Sequence, residues 1–281
     1  MALGRGTRAA AALVVGVAAA AGRWLWRARP HVERTMGGLA LVYTTRDDSG
    51  TPVRVLRTGG VYQSATYLGS RGMEPVFAYY RSLGRLFELR PDARRVLAIG
   101  GGGFAFPKLV VAEHPGVRTD VVEIDPAVVR IARRWFYLDE AISRARAAGG
   151  ELNVICDDGR AFLEGPVGPY DAVVLDAFVG AEPVRSLATV EALRLVRRAL
   201  APDGVCLMNV VSRDGGADVG FLRAEVATAL AVFPNVRVAL AVDDVHAAED
   251  NYLLVTSAGP LDLPDAIPFD ASFPTSVLLD I

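Results

Sequence analysis

Short apolar segments alternate with helical segments between residues 95 and 257, and this alternation constrains the fold more than any other feature of the chain. Apolar strands separated by helices are typical of a mostly parallel sheet that is buried on both faces. Connections such as AVVRIARRWFYL and TVEALRLVRRAL carry apolar residues at helical spacing. The strand candidates, in chain order, are RVLAI, TDVVEI, LNVIC, DAVVLD, VCLMNVV, VRVALAV and NYLLVTS.

The last two strand candidates are joined only by DDVHAAED. This connection is too short for the helix of a parallel crossover, so the two strands should pair antiparallel. The sequence therefore predicts an α/β chain with a methyltransferase-like Rossmann fold. Its sheet should have seven mostly parallel strands and end in an antiparallel hairpin.

The remainder of the 281 residues suffices for a small additional domain. The runs GGLALVYTT, PVRVLRTGG and VYQSATYL read as strands, and residues 73–89 carry apolar residues at helical spacing. The predicted organisation is an N-terminal apolar segment (1–30), a small β domain plus linking helix (31–90), the methyltransferase-like domain (91–260) and a C-terminal tail (261–281).

The N-terminal segment has three interpretations. Arg5 and Arg8 precede the apolar run Ala9–Gly22, which is followed by RWLWRARP. Residues 9–26 could form a membrane anchor with tryptophans at the interface, a cleaved signal peptide, or a soluble alanine-rich helix. Positive charge is at least as dense after the segment as before it, which favours a cytoplasmic domain held at the inner face of the membrane.

The anchor interpretation predicts that the intact chain, with its N-terminal segment still attached, is recovered in the membrane fraction. Mature protein that starts near Gly22 and is found outside the membrane would contradict this interpretation.

Charge and cysteine content exclude several classes of function. The 30 basic and 32 acidic residues are interspersed, so no basic stripe indicates a nucleic-acid partner. Cys156 and Cys206 each lie in an apolar run, where buried thiols are expected. Neither a metal site nor a disulfide framework is predicted.

Polar or glycine-rich motifs follow four successive strands, at the edge where open α/β sheets bind ligands. Four glycines, Gly100–Gly103, follow the first strand, and glycine lets a ligand approach the backbone closely. The later strand ends carry the acids Glu123, Asp125, Asp157, Asp158 (with Gly159) and Asp176.

Two interpretations of these acids remain open at this point. Glu123 is placed to accept the hydroxyls of a ribose, and Asp158 to accept an adenine amino group. Asp125 and Asp158 are equally suited to cap helices. Capping at each strand end independently explains the whole set poorly, so the sequence predicts a nucleoside site.

The motifs resemble those of the spermidine synthase family, the polyamine aminopropyltransferases, and more closely its divergent spermidine-synthase-like relatives. The resemblance covers about residues 32–257. It is carried by GGVYQS, VLAIGGGG, VVEIDP, DDGRAFL, YDAVVLDAF and NYLLVTS. It implies that S-adenosylmethionine, or its decarboxylated form, binds as co-substrate, and it leaves a homodimer open.

The resemblance also implies roles for individual residues. The glycine loop Gly100, Gly101 and Gly102 would pack on the methionine-like part of the cofactor. Glu123 would bind the ribose, Asp158 with Gly159 the adenine, and Gln63 would lie near the nucleoside. Asp176 would be the catalytic acid that helps to take a proton from the attacking amine.

The chain departs from the family pattern where charge is needed. Gly103 stands where the family has an aspartate for the charged end of the aminopropyl donor, and acids expected after Gln63 are missing. Carboxylates hold diamines, so the polyamine pocket is expected to be degenerate and to make little spermidine from putrescine. An acceptor would instead lie against Tyr79, Tyr80 and Phe104, unless these aromatics are simply core.

Three functions follow from these observations. The first is aminopropyl transfer to an amine or other nucleophilic small molecule. The second is methyl transfer from S-adenosylmethionine, because a loop without its aspartate accepts a carboxylate more easily. The third is a nucleoside-binding domain without catalysis.

Overall fold

The computed structural model describes residues 29–179, 182–212, 219–241 and 250–280. The predictions for the N-terminal apolar segment, residues 9–26 among them, lie outside the described residues. Within these ranges, no helix is both long enough and apolar enough to cross a membrane.

The described chain contains two main sheets and a short hairpin. The strands are β1 (His31–Thr35), β2 (Gly38–Arg46), β3 (Pro52–Thr58), β4 (Val61–Tyr67), β5 (Arg95–Ile99), β6 (Arg118–Val122), β7 (Glu151–Ile155), β8 (Tyr170–Leu175), β9 (Phe178–Val179), β10 (Glu182–Pro183), β11 (Leu200–Ser212), β12 (Asn235–Leu240) and β13 (Asp250–Ser257). The helices are α1 (Tyr79–Gly84), α2 (Leu86–Leu89), α3 (Ala105–Glu113), α4 (Pro126–Trp135), α5 (Leu138–Ala147), α6 (Gly159–Glu164), α7 (Val190–Ala199) and α8 (Gly220–Leu230).

The large sheet confirms the predicted fold. Its seven strands lie in the order β12-β13-β11-β8-β5-β6-β7. Strands β11, β8, β5, β6 and β7 pair parallel, and β13 pairs antiparallel with both β11 and β12. The chain order reverses beside β5 and β8, which places their carboxyl ends at a topological switch point, where open α/β sheets bind ligands.

Alternate side chains of the central strands pack into two hydrophobic cores, one on each face of this sheet. In β5, Val96 and Ala98 belong to one core cluster, and Leu97 and Ile99 to the other. All four side chains are buried, as expected for a strand covered by helices on both faces. This explains why the strands of this domain read as continuous apolar runs in the sequence.

The N-terminal sheet has four antiparallel strands in chain order, one more than the sequence indicated. Strand β1 is hard to predict from sequence because HVERT alternates half-buried and exposed positions and has few apolar residues. Ala40, Val42 and Leu56 of this sheet pack on Ile131 and Phe136 beside α4. The small sheet is thereby fixed against the larger domain.

The predicted helix over residues 73–89 is wrong in its first third. Helix α1 begins only at Tyr79, and a second short helix, α2, follows it. Pro75 disfavours helical geometry at the residue before it and instead forms an isolated bridge with Thr66.

The expectation of two buried thiols is half right. Cys206 is buried in β11, whereas Cys156 is exposed. Cys156 directly follows the last residue of β7, which lies at the edge of the sheet, so the apolar run before it does not bury it.

Lys108, the only lysine of the chain, links the N-terminal sheet to the larger domain. It lies on α3 with 1% of its surface exposed, and its Nζ donates a hydrogen bond of 2.9 Å to Thr66 Oγ1 on β4. The Tyr137 ring is 6.0 Å from the same nitrogen. Burial lowers the pKa of Lys108 from 10.5 to about 7, an effect that the charge of Glu140 partly opposes.

Replacement of Lys108 by methionine should change the pH dependence of stability. Between pH 7 and 10.5 the unfolded chain holds a proton on Lys108 that the folded chain has released, so wild-type stability should rise with pH across this window. In Lys108→Met this rise should be lost, and the variant should be more stable than wild type near pH 7, by on the order of a few kcal/mol. Urea unfolding at pH 7 and pH 10 measures the difference.

Arg81→Met, at an exposed cation on α1, is the matched control and should leave the slope unchanged. Equal slopes for wild type and Lys108→Met would show that the lysine is charged in the folded protein.

Candidate functional site

A cavity of about 350 Å³ opens at the carboxyl ends of the central strands, beneath the N-terminal sheet. Its volume lies in the range of small-molecule sites. One wall is formed by the glycine loop after β5, another by the end of β6, and a third by the turn between β1 and β2. Its lining includes Met36, Gln63, Tyr79, Tyr80, Gly100, Gly101, Gly102, Glu123, Asp125, Asp158, Gly159, Asp176, Ala177, Val184 and Leu187.

The glycine loop is bare because neighbouring chain segments leave no room for side chains. Gly100 has φ +98°, and a Cβ atom there would overlap the backbone carbonyl of Asp176. A Cβ atom at Gly103 would overlap the side chain of Ser64 on β4. The loop therefore packs directly against the end of β8 on one side and the N-terminal sheet on the other.

Glu123 holds this loop in place. Its Oε2 accepts hydrogen bonds from the amides of Gly101 (2.9 Å) and Gly102 (3.0 Å), and its Oε1 accepts one from the Asp125 amide (3.0 Å). Glu123 is 8% exposed and still lines the cavity. A carboxylate accepts about four hydrogen bonds, so this one retains the capacity for one further donor, such as a ribose hydroxyl.

Asp125 and Asp158 are both helix N-caps, as the capping interpretation predicted. Asp125 Oδ1 accepts from the Ala127 amide (2.8 Å) at the start of α4, and Asp158 Oδ1 accepts from the Ala161 amide (2.9 Å) at the start of α6. The second carboxylate oxygen of Asp125 accepts from the Met36 amide, the Oδ2 atom of Asp158 lies outside its cap, and both residues line the cavity. Capping and ligand binding are therefore compatible at these positions.

Asp176 lies at the other side of the cavity, directly after β8. Its backbone amide donates to the Ile99 carbonyl (2.9 Å), which fixes it beside the glycine loop. Its Oδ1 accepts from Asn209 Nδ2 (2.9 Å), and the Tyr79 hydroxyl lies 3.5 Å from its Oδ2. Burial raises the pKa of Asp176 from 3.8 to about 6, although both hydrogen bonds lower it.

Tyr79 and Tyr80 form an aromatic wall next to Asp176. Their ring centroids are 4.1 Å apart, and Phe77 stacks on both rings. Burial, together with the charge of Asp176, raises the pKa of both hydroxyls. The two tyrosines are therefore neutral hydrogen-bonding groups at any physiological pH.

The structure brings most of the predicted residues together and leaves two out. Gln63, Tyr79, Tyr80, the three glycines, Glu123, Asp125, Asp158, Gly159 and Asp176 all line the one cavity. Asp157 is exposed outside it and accepts from the Asp158 amide (2.8 Å). Phe104 is fully buried at the start of α3, with its ring beneath Gly101, so it lies in the core and not at an acceptor.

Sequence reasoning missed Asn209 and the turn residue Met36. Asn209 lies within the predicted apolar strand VCLMNVV, and a polar residue near the carboxyl end of such a strand is itself a signal. Met36 is 67% exposed and its amide donates to Asp125. No sequence motif indicates that the β1–β2 turn contacts the distant strand ends.

The acids of the cavity are not equivalent. Glu123, Asp125 and Asp158 accept hydrogen bonds from backbone amides, whereas the carboxylate of Asp176 accepts from the side chains of Asn209 and Tyr79. Within the described residues, no group of three potential ligands could hold a metal ion. The arrangement can therefore bind a polar, hydroxyl-bearing ligand at the Glu123 side and offer a carboxylate to a second reactant at Asp176.

Residues 77–213 match the model of the spermine/spermidine synthase domain. The chain is 34% identical to a polyamine aminopropyltransferase of Vibrio vulnificus over 158 residues, which are 56% of this chain and 50% of that protein. It is 33% identical to putrescine N-methyltransferase 3 of Nicotiana tabacum over 118 residues, which are 41% of this chain and 29% of that protein. The chain thus spans half or less of the length of these curated relatives.

The fold also matches a solved structure. A probable spermidine synthase from Corynebacterium glutamicum superposes with a TM-score of 0.67 at 24% identity, covering 83% of this chain and 81% of that one. This likeness confirms the fold predicted from the strand pattern.

Asp176→Asn should stabilise the protein above pH 6. Because burial raises the pKa of this carboxyl to about 6, the free energy of unfolding should fall as the pH rises from 3.8 to 6. The amide removes this penalty, which is up to about 3 kcal/mol for a shift of about two pK units. Urea unfolding at pH 4 and 7.5 tests this, with the exposed Asp262→Asn as control. A variant less stable than wild type at pH 7.5 would show that the hydrogen bonds of Asp176 outweigh the cost of burying its charge, which contradicts this prediction.

Proposed function

We propose that this chain, whose residues 77–213 match the spermine/spermidine synthase domain, transfers an aminopropyl group from decarboxylated S-adenosylmethionine to an amine acceptor. The observation that carries this proposal is one cavity with Glu123 at one side and Asp176 at the other. A nucleoside held at Glu123 would have its sulfur directed toward Asp176.

The nucleoside site is built from the strand ends. The ribose hydroxyls take the remaining capacity of Glu123, and the adenine lies near Asp158 and Gly159. Ile99, Val122 and Leu187 supply apolar surface around the base. This placement uses the glycine loop as a floor that approaches the sulfur-bearing chain without an intervening side chain.

The reaction is a displacement at carbon. The acceptor nitrogen attacks the aminopropyl carbon next to the sulfonium, a C–N bond forms, the C–S bond breaks, and methylthioadenosine leaves as a neutral thioether. The nitrogen then gives up one proton, which the Asp176 carboxylate accepts. Alignment of the two reactants contributes several kcal/mol, up to about 7–11 in ideal cases.

The described cavity has few carboxylates that are available to bind the two positive charges of a diamine. Three of its four acids are engaged by backbone amides, and Asp176 alone faces the aromatic wall of Tyr79 and Tyr80. At Gly103, packing against Ser64 leaves no space for an acidic side chain. These features support an acceptor with less positive charge than putrescine, and we expect little spermidine synthesis.

Methyl transfer is the second candidate. The similarity to a putrescine N-methyltransferase covers 118 residues, and no acid stands at the Gly103 position to select a donor with an ammonium tail. Intact S-adenosylmethionine would fit the same nucleoside site.

A product assay with each donor and a panel of amines tests the proposal. With the decarboxylated donor, we expect transfer to monoamines or larger amines, weak turnover of putrescine, and a rate that declines below about pH 6 as Asp176 becomes protonated. Asp176→Asn should lower kcat by about a hundredfold or more. Glu123→Gln should weaken methylthioadenosine binding about ten- to hundredfold, because a buried charge-assisted contact is lost.

Asp157→Asn, at an exposed acid of the same sheet edge, is the matched control and should leave binding and rate unchanged. Methyl transfer from intact S-adenosylmethionine alone would establish the second candidate. Absence of methylthioadenosine binding would contradict both, and rapid putrescine turnover would show that another acid holds the second charge.

A further inference from the structure

Three side chains from adjacent strands form a hydrogen-bonded chain that leads away from the cavity. Asp176 follows β8, Asn209 lies on β11 and Asn251 on β13, and β11 pairs with both neighbours. Asn209 Nδ2 donates to Asp176 Oδ1 at 2.9 Å. Asn251 Nδ2 donates to Asn209 Oδ1, also at 2.9 Å.

This chain fixes the orientation of the Asn209 amide. An asparagine has a donor end and an acceptor end, and here both ends have partners of the correct kind. Rotation of the amide by 180° would place its carbonyl against the Asp176 carboxylate and its NH₂ against the Asn251 NH₂. Two favourable contacts would become two repulsive ones. The Asp176 carboxylate, which only accepts, selects the NH₂ end of Asn209, and the donor group of Asn251 reinforces this orientation at the other end.

The orientation of Asn209 in turn decides which oxygen of Asp176 is available. Asn209 occupies Oδ1, while Oδ2 has only the Tyr79 hydroxyl at 3.5 Å, which is a weak contact. A hydrogen bond to the ionised form also favours that form. The NH₂ group of Asn209 is therefore suited both to direct Oδ2 toward an acceptor and to stabilise the carboxylate.

We propose that Asn209 and Asn251 are positioning residues of the transfer reaction, which hold Asp176 ionised with Oδ2 presented to the acceptor amine. The proposal rests on the proposed function, because it assigns Asp176 the proton-accepting role. Neither asparagine is placed in contact with the nucleoside. They act through Asp176, and their effect should therefore appear in its protonation.

Among the residues that the structure describes, three other titratable groups lie near Asp176 and Asn209. Tyr79 and Tyr80 face it from α1 and stay neutral, because burial raises the pKa of both. Asn209 also lines a cavity of about 30 Å³, together with Glu225 of α8. Burial raises the pKa of Glu225 from 4.5 to about 8, so its titration can be distinguished from that of Asp176.

The test combines NMR titration of the Asp176 carboxyl in nucleoside-free protein with pH profiles of kcat and KM for the transfer. All proteins carry Glu225→Gln, which removes the neighbouring titration. Asn209→Leu should raise the pKa of Asp176 by about one unit and shift the acidic limb of kcat equally, with KM for the donor unchanged. Asn251→Leu should shift both in the same direction by less, since Asn209 still donates to Asp176 but loses the contact that reinforces its orientation.

Two further variants separate positioning from structure. Asn251→Ser keeps a hydroxyl donor and should restore part of the wild-type profile. Asn235→Leu is the matched control, because Asn235 bonds the Gly259 carbonyl (2.7 Å) at the other end of the sheet. It should alter stability without moving either pH profile.

An Asp176 titration in Asn209→Leu that matches the parent protein would overturn the positioning role, even if the parent enzyme is active. Shifts of equal size in Asn209→Leu and Asn235→Leu would overturn it as well. A parent enzyme that binds methylthioadenosine but transfers no group would overturn the proposed function, and with it the reaction role assigned to both asparagines.

Discussion

The contact between Glu123 and the glycine loop is the interaction on which the site depends. One carboxylate oxygen accepts the amides of Gly101 and Gly102, so the loop after β5 is tied to the end of β6. The loop can follow this path only because glycines allow it to touch the Asp176 carbonyl and Ser64. Removal of the carboxylate would release the loop and the floor of the cavity together.

The site lowers the stability of the folded protein, because it buries an ionisable residue that has a chemical role. Burial disfavours the ionised form of Asp176 and raises its pKa to about 6, close to the range in which a carboxylate both ionises and accepts protons effectively. Burial likewise disfavours the charged form of Lys108, which lies away from the site and joins α3 to the N-terminal sheet. A protein selected for stability alone would replace both.

The sheet and most of the site could be predicted because strand ends are encoded locally. Apolar runs followed by glycine or acid place Glu123, Asp158 and Asp176 at one edge without knowledge of tertiary packing. What the sequence could not show depends on contacts between distant segments. The inward turn of Phe104 beneath the loop and the link from Asn209 to Asp176 both arise from packing that no motif records.

The central claim is that a nucleoside binds between Glu123 and Asp176, and a crystal structure with methylthioadenosine tests it most directly. The account predicts a ribose hydroxyl within hydrogen-bonding distance of Glu123 Oε1, the adenine amino group at Asp158, and the sulfur on the side of the glycine loop that faces Asp176. A nucleoside bound elsewhere, or with its sulfur turned away from Asp176, would contradict the account.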